Sequence, residues 1–325
     1  MKATAIAPSN IAFIKYWGRK DEELRLPENG SVSMNLSNLL TTTTVEFSSK
    51  FNQDSITIND RKEPNEGSRA IRHLDRVRKL AKINTKAKVV TKNNFPSSTG
   101  LSSSASGFAA LTLGASRAAG LKLSETELSI LARQGSGSAC RSIPDGIVEW
   151  LDGETSETSH AVSLFEPSYF DIADVVAVVS TDKKFLATSE GQKSARTSPF
   201  FEKRLSLIKD KITLVKKRIK DKDFTSFGKL VEEEALEFHS ILFTSNPPLF
   251  YWTPQTVSVM KEVQKWRREG LEAYFTINTG QDIHVLCKKE DAIEISKKLS
   301  RLKDVSKVII NYPSRGAYLT NKHLF

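Results

Sequence analysis

Asn93-Asn94-Phe95-Pro96-Ser97-Ser98-Thr99-Gly100-Leu101-Ser102-Ser103-Ser104-Ala105 is the segment on which the reading of this chain turns. Between Ser98 and Ala105, seven of eight residues are Ser, Thr, Gly or Ala. The run that follows, Ser106-Gly107-Phe108-Ala109-Ala110-Leu111-Thr112-Leu113, reads as a buried helix. A small-residue loop entering a helix N-terminus gathers backbone N–H groups without intrahelical partners and the positive end of the helix dipole, which together attract phosphate. The common nucleotide loop Gly-x-x-x-x-Gly-Lys-Ser/Thr is absent. Taken alone, the segment leaves a serine-rich surface turn as the lesser alternative.

Around this loop the chain alternates in character. Thr41–Phe47 and Ser55–Ile58 are β-branched and alternating, with Asn59-Asp60 as a turn. Residues 66–82 carry Ile71, Leu74, Val77 and Leu80 at helical spacing, and 87–91 lead as a strand into the loop. Helices are expected over 104–119 and 124–133, the second opening on a capping box of Ser124 and Glu127. Ala173–Ser180 reads as a buried strand. Helical patterns then run from 199 to 237, and Pro254 opens another helix that ends at Gly270. Strands at 273–277, 284–286 and 305–311, with a helix at 290–302, complete the pattern. Strands and helices mix without a steady βαβ rhythm or an internal repeat. That argues an α+β fold in two lobes, dividing near 180–200.

With 325 residues, the chain is long enough for one large or two ordinary domains. Charged residues make up 26% and hydrophobic residues 39%, an ordinary soluble composition. The net charge of +10 admits nucleic acid, a membrane surface or anionic small molecules. Basic and acidic residues alternate through 201–237 and 288–304, as on solvated helices, and no nucleic-acid motif accompanies them. Cys140 and Cys287 are far apart and outside any Cys-x-x-Cys pair, so buried free thiols are expected. Neither a secretory signal nor a run of 18 apolar residues is present, and a cytoplasmic protein is the simplest expectation.

Three further segments hold polar residues between apolar runs. In Ala7–Arg19, Lys15 and Arg19 lie beside Tyr16, Trp17 and Gly18. A buried lysine is costly unless it meets an anion, although a lysine snorkelling from a strand end fits the same pattern. Arg133–Ser142 contains Gly-Ser-Gly-Ser, which lets backbone approach an anion, and Arg141, whose planar fork suits a carboxylate or phosphate. In Tyr274–Ile283 a strand breaks at a Thr-Gly turn that presents Asn278 and Asp282.

Together these segments resemble the mevalonate-pathway decarboxylases of the GHMP kinase superfamily. The serine loop matches that family's Asn-Asn-Phe-Pro-x-x-x-Gly-Leu-x-Ser-Ser-Ala. Ala-x-x-Asn-Ile-Ala-x-Ile-Lys-Tyr-Trp-Gly and Gly-Ser-Gly-Ser-Ala-Cys-Arg-Ser match two other landmarks. Arg196-Thr197-Ser198, Pro247-Pro248 and Tyr274-Phe275-Thr276 are lesser echoes. The resemblance implies a two-lobed GHMP-kinase-like fold, with mixed β-sheets flanked by helices and the active site in the cleft between lobes. An ATP-binding domain over 1–185 and a second domain over 186–325 are expected. Implied cofactors are ATP and Mg²⁺, and implied partners are a phosphorylated mevalonate and a second copy in a homodimer, with no nucleic acid or membrane.

Carried over by position, Pro96, Ser98, Gly100, Ser102, Ser103 and Ser104 would form the ATP phosphate cradle, with Ser104 toward the metal. Ser136 and Ser138 would contact the phosphate end of the substrate and Arg141 its carboxylate. Lys15 would neutralise charge at the 3-oxygen. Tyr16 and Arg19 would reach the 5-phosphate, where the family commonly has Lys in place of Arg19. Thr197 and Ser198 match a substrate-side element, while Lys193 and Arg196 fit either anion contact or solvent.

Two departures stand out. The family's last motif is Asp-Ala-Gly-Pro-Asn, and alignment on Gly280 puts Asn278 at its catalytic Asp. An amide keeps the shape but cannot accept a proton as a base. An inactivated form, a 3-kinase that does not decarboxylate, and replacement by Asp282 are the three readings, and the retained Lys15 counts against the kinase. The second departure is Asp145, in Arg141-Ser142-Ile143-Pro144-Asp145-Gly146 where the family has Leu-Phe-Gly-Gly. At the phosphate end of the substrate, Asp145 would repel a second phosphate; pointing to solvent, it would not. The expected reaction is therefore ATP-dependent decarboxylation of 5-phosphomevalonate to isopentenyl phosphate through 3-hydroxyl phosphorylation, with an inactivated Asn278. Diphosphomevalonate decarboxylation to isopentenyl diphosphate, or 3-phosphorylation alone, are the alternatives.

Overall fold

Alternating β-branched residues build the first sheet, and an unusually long strand organises it. The computed structural model describes residues 1–325 except 63, 97–99 and 181–187, with the side chains of 64–68 also outside the description. β1 (Lys2–Ile14), β2 (Arg19–Asp21), β3 (Leu26–Pro27), β4 (Ser31–Ser48) and β5 (Ser55–Ile58) come first. α1 (Pro64–Ala81), β6 (Lys86–Asn93), α2 (Ser103–Ala118) and α3 (Glu125–Gly135) follow, then β7 (Ile147–Trp150) and β8 (Ala161–Phe165). β4 is far longer than the expected Thr41–Phe47, because residues from Ser31 onward also pair, with β1 and then β7. Asn59 and Asp60 form the expected turn, both at positive φ (48° and 63°). α3 opens on the Ser124/Glu127 capping box.

The remaining elements are β9 (Ile172–Val178), α4 (Thr188–Gly191), α5 (Phe201–Lys220), α6 (Phe224–Phe243) and α7 (Pro254–Arg268). After them come β10 (Ala273–Thr276), β11 (Ile283–Lys288), α8 (Ala292–Ser300), β12 (Lys307–Asn311) and β13 (Tyr318–Thr320). One sheet runs β13-β1-β4-β6-β5, with β7 and β8 extending from β4, and the other runs β10-β11-β9-β12. β9 lies before residue 185 yet pairs within the second sheet, while β13 at the end of the chain returns to pair with β1. Every residue of β9 is buried, because α7 and α8 cover one face and the other meets the first lobe. Both cysteines are buried free thiols.

One apolar cluster joins the lobes. It takes Phe13 from β1, Met34 from β4, Val176 from β9, Phe227 from α6 and Tyr274 from β10. Phe13 meets Phe227 edge-on at 4.9 Å. α5 and α6 are clamped by a buried ion pair between Arg204 and Glu234, and the same carboxylate accepts the Lys15 backbone N–H at 3.1 Å. The exit of β1 is thus fixed by apolar packing on one side and a satisfied buried charge pair on the other.

α6 lies against β10 because Gly228 leaves room for the Tyr274 ring, which a Cβ would overlap. Gly228→Ala should therefore lower stability by about 1–3 kcal/mol through overpacking, despite the better helix propensity of alanine. An unchanged or raised midpoint in thermal denaturation would contradict this packing account.

Candidate active site

The functional side chains converge because β1 is interrupted where it meets its neighbours. Its register with β4 shifts between Pro8 and Asn10 and again between Ala12 and Ile14. Such irregularities re-aim side chains. Ser9 donates to the Leu101 carbonyl at 2.5 Å, tying the strand to the serine loop. Asn10 donates to Ser142 Oγ at 2.8 Å and accepts from Arg141 Nη2 at 3.0 Å. Its carbonyl faces Asn278 Nδ2 at 3.4 Å. Two adjacent residues of one motif segment therefore tie it to the other three.

Lys15 is buried at the end of this strand, and its Nζ donates to Ala12 O at 2.6 Å, Thr276 Oγ1 at 2.7 Å and Asn278 Oδ1 at 3.3 Å. Burial pulls its ammonium down from 10.5 to about 7; Glu234 and Asp174 oppose the fall, while Arg141 and Arg204 add to it. Asn278 also donates from Nδ2 to Ser102 Oγ at 3.0 Å. Its backbone carbonyl faces Nε2 of buried His239 at 3.2 Å, and burial pushes that imidazole down to about 3. A neutral histidine donating from Nε2 thus fixes the Asn278 backbone.

The serine loop closes over the same spot. Ser102 adopts a left-handed conformation (φ 54°), a strained state for a non-glycine residue, immediately before α2. Gly100 has φ 117°, and a Cβ there would lie 2.7 Å from Gly280 Cα. The two motif turns thus touch backbone to backbone. Ser104, in the first turn of α2, lies 3.4 Å from Ser136 Oγ.

Arg141 comes from a 3₁₀ helix, Gly137–Ser142, and is almost wholly buried. It donates to Ser31 Oγ at 2.6 Å and to Asn10, both neutral, and its Nε has no partner among the described residues. Its charge therefore faces the cleft uncompensated, which is the condition for gripping a carboxylate.

These groups line an open cleft. Lys15, Tyr16, Arg19, Gly100, Ser102, Ser103, Ser104, Ser136, Ser138, Arg141 and Asn278 all face it. Ser98 falls outside the described residues, and Pro96 does not line the cleft. Thr197 and Ser198 do not reach it either. Thr197 accepts from the Asn246 amide at 2.7 Å and Ser198 bonds Thr244 at 2.7 Å, so both fasten a turn. Lys193 and Arg196 lie on the exposed side, paired with Glu190 and with Glu28 and Glu202. Asp282 does not line the cleft, and its Oδ1 accepts from the Val179 amide at 3.0 Å. It is therefore not placed to replace a base at 278. Asp145 is also elsewhere: its carboxylate accepts from the Gly316 amide at 2.6 Å. The repulsion that favoured a monophosphate ligand is accordingly removed.

The sequence reading missed Arg25 and Arg69, which form a cationic wall with Arg19. Burial, then the charges of Arg19 and Arg69, pull Arg25 down to about 10. Neither residue sits in a motif. Arg25 is placed by a positive-φ turn (53°) between β2 and β3, and Arg69 by α1.

A family model for the diphosphomevalonate decarboxylase-like N-terminal domain matches residues 7–161, and one for the mevalonate 5-diphosphate decarboxylase C-terminal domain matches 174–317. Diphosphomevalonate decarboxylase of Candida albicans is 36% identical over 296 residues, covering 86% of this chain and 82% of its own. The crystal structure of mevalonate diphosphate decarboxylase from Staphylococcus aureus is 35% identical, with a TM-score of 0.92 and coverage of 98% of both chains. A structure of MDDEF in complex with MVAPP, AMPPCP and magnesium is 34% identical, with a TM-score of 0.92, covering 98% of this chain and 99% of that one.

Gly100→Ala is expected to weaken binding of a non-hydrolysable ATP analogue by about tenfold or more, since a Cβ at that φ adds about 1–3 kcal/mol of strain and collides with Gly280. Calorimetric titration measures it, and unchanged affinity would remove the loop from the nucleotide site.

Proposed function

The chain belongs to the diphosphomevalonate decarboxylase family, the ATP-dependent carboxy-lyases of the mevalonate pathway, and from that membership we propose that it converts 5-diphosphomevalonate to isopentenyl diphosphate. The observation that carries the choice of substrate is the wall of Arg19, Arg25 and Arg69. Arg25, whose ionisation burial and the charges of Arg19 and Arg69 depress, gains most from a ligand end bearing several negative charges, although Arg19 itself is paired with Glu22 at 2.5 Å. A diphosphate supplies these better than a monophosphate. With Asp145 bonded to Gly316, no lining carboxylate among the described residues opposes the second phosphate.

In this reading the substrate lies with its diphosphate toward the arginine wall, Tyr16, Ser136 and Ser138. Its carboxylate meets Arg141, and its 3-hydroxyl lies toward Lys15 and Asn278. Serine residues 102–104 and the N-terminus of α2 receive the ATP phosphates. Among the described residues there is no cluster of three His, Cys, Asp or Glu fit to hold a metal. The oxygen donors near the phosphates are serine hydroxyls, which suits Mg²⁺ bound chiefly through the nucleotide with Ser104 assisting. When bound, that ion neutralises charge on the transferring phosphoryl group.

This chain's residues then serve two steps. Transfer to the 3-hydroxyl needs positioning, from the arginines and serines, and removal of one proton. Loss of the new phosphate with CO₂ needs positive charge beside the departing oxygen, and Lys15 provides it as ammonium. Arg141 holds the carboxylate so that the C1–C2 bond can deliver its electrons toward C3. The reading of a disabled centre rested on the Asn278 amide alone, whereas Lys15, Arg141 and the serine loop stand assembled around it.

Incubation with ATP, Mg²⁺ and either mevalonate phosphate tests the proposal. CO₂ release should be faster from the diphosphate, and Arg25→Ala with Arg69→Ala should raise KM for it at least about tenfold with little change in KM for ATP. Preferential turnover of the monophosphate would refute the substrate assignment. ADP with a stable phosphorylated product and no CO₂ would instead establish a 3-kinase.

A further inference from the structure

We infer that Lys15, in its neutral form, is the base that takes the proton from the substrate 3-hydroxyl, and that the same proton makes it the cation the second step requires. The inference rests on the reading of the cleft as a phosphoryl-transfer site. Its ground is that the described lining contains no aspartate, glutamate or histidine. Serines, threonines and amides are not bases at neutral pH, and arginine stays charged. Burial raises the Tyr16 phenol, so it stays protonated. Among the described lining residues, Lys15 is the one group left that can exchange a proton near neutrality.

Its surroundings support the role. Among the described residues Lys15 forms no ion pair, although Glu234 of α6 is near. That carboxylate is already engaged by Arg204 and Lys211. Arg141 and Arg204 act on Lys15 with like charge, Asp174 of β9 opposes them but is bonded to His284 at 2.9 Å, and His239 of α6 is neutral. Burial without a counter-ion brings the ammonium down to about 7, so a large share of Lys15 is free amine at neutral pH.

Asn278 fits both forms of this lysine. Its Oδ1 accepts from the ammonium, as observed at 3.3 Å. Rotating the amide would present Nδ2 to the amine lone pair, with Ser102 turning its hydroxyl to donate and the 3.4 Å bond to the Asn10 carbonyl given up. A carboxylate at 278 would instead hold the lysine permanently charged. In the reaction the 3-oxygen bonds to the γ-phosphorus as the bond from that phosphorus to ADP breaks with its electron pair on ADP, and the hydroxyl proton passes to Lys15 Nζ. The C3–O bond then breaks with its pair on inorganic phosphate, while the C1–C2 pair forms the C2–C3 double bond and CO₂ leaves.

ADP formation from diphosphomevalonate reports the base, and CO₂ release separately reports the decarboxylase reading. ADP formation should fall as pH drops through about 7, because protonation removes the base. Lys15→Arg, which keeps the charge but not the basicity, should lower kcat for ADP formation at least about 100-fold with ATP-analogue binding intact. Adding Asn278→Asp to Lys15→Arg should restore at least about tenfold, since a carboxylate can then take the proton. Competitive acetylation of the ligand-free protein gives an answer independent of turnover: Lys15 should be half-reactive near pH 7, and at least about one unit higher in Asn278→Asp. Lys15→Arg within about threefold of wild type, no ADP formation by wild type at any pH, or half-reactivity near the ordinary lysine value would each overturn the inference. ADP formation with the expected lysine behaviour but no CO₂ would uphold the base and refute the decarboxylase.

Discussion

The cleft depends on holding a lysine at the end of β1 out of water without giving it a counter-ion. Burial of an unpaired ammonium is costly, and the fold accepts that cost through local order. Phe13 packs on Phe227, and the Lys15 amide is received by Glu234. That carboxylate is in turn neutralised by Arg204 and Lys211 rather than by the Lys15 side chain. The backbone of Lys15 is therefore anchored by a carboxylate whose charge is satisfied elsewhere. The main chain is fixed while the side chain stays electrostatically open.

The same division recurs at Arg141, whose guanidinium is oriented by neutral Ser31 and Asn10. Orientation comes from dipoles, and charge is reserved for the ligand. Surface arginines such as Arg196 are treated in the opposite way, paired with glutamates and turned from the cleft. The net charge of +10 thus conceals two kinds of cation: surface groups in water, some paired with carboxylates as Arg196 is, and a few buried groups that face the cleft.

Much of this was legible in the sequence where chemistry and local pattern coincide. The serine loop, Lys15, Arg141 and Asn278 all sit inside runs whose small or apolar neighbours mark them as special. The Ser124 capping box and the Asn59-Asp60 turn were readable because their signals span only a few residues. Arg25 and Arg69 were not, since each is a lone arginine in a polar stretch, brought to the cleft by a turn or a helix face. Asp145 misled for the same reason, because its partner, Gly316, lies 171 positions on in the chain. Thr197 and Ser198 echoed a motif, yet their hydroxyls serve the turn at 244–246. β13 is three residues long and exists only through pairing with β1.

The apolar cluster that unites β1 and β4 with β9, α6 and β10 runs beneath the cleft without a break, and the chain crosses between sheets both before β9 and again before β13. Two bodies joined in this way are not a pair of jaws on a hinge. Widening the gap between them would expose close-packed aromatic surface, so the shared core resists such opening. Discrimination by size is consequently a property of the core: a methyl group added to Phe13's neighbours would be felt by every molecule that enters, however far from it that molecule binds.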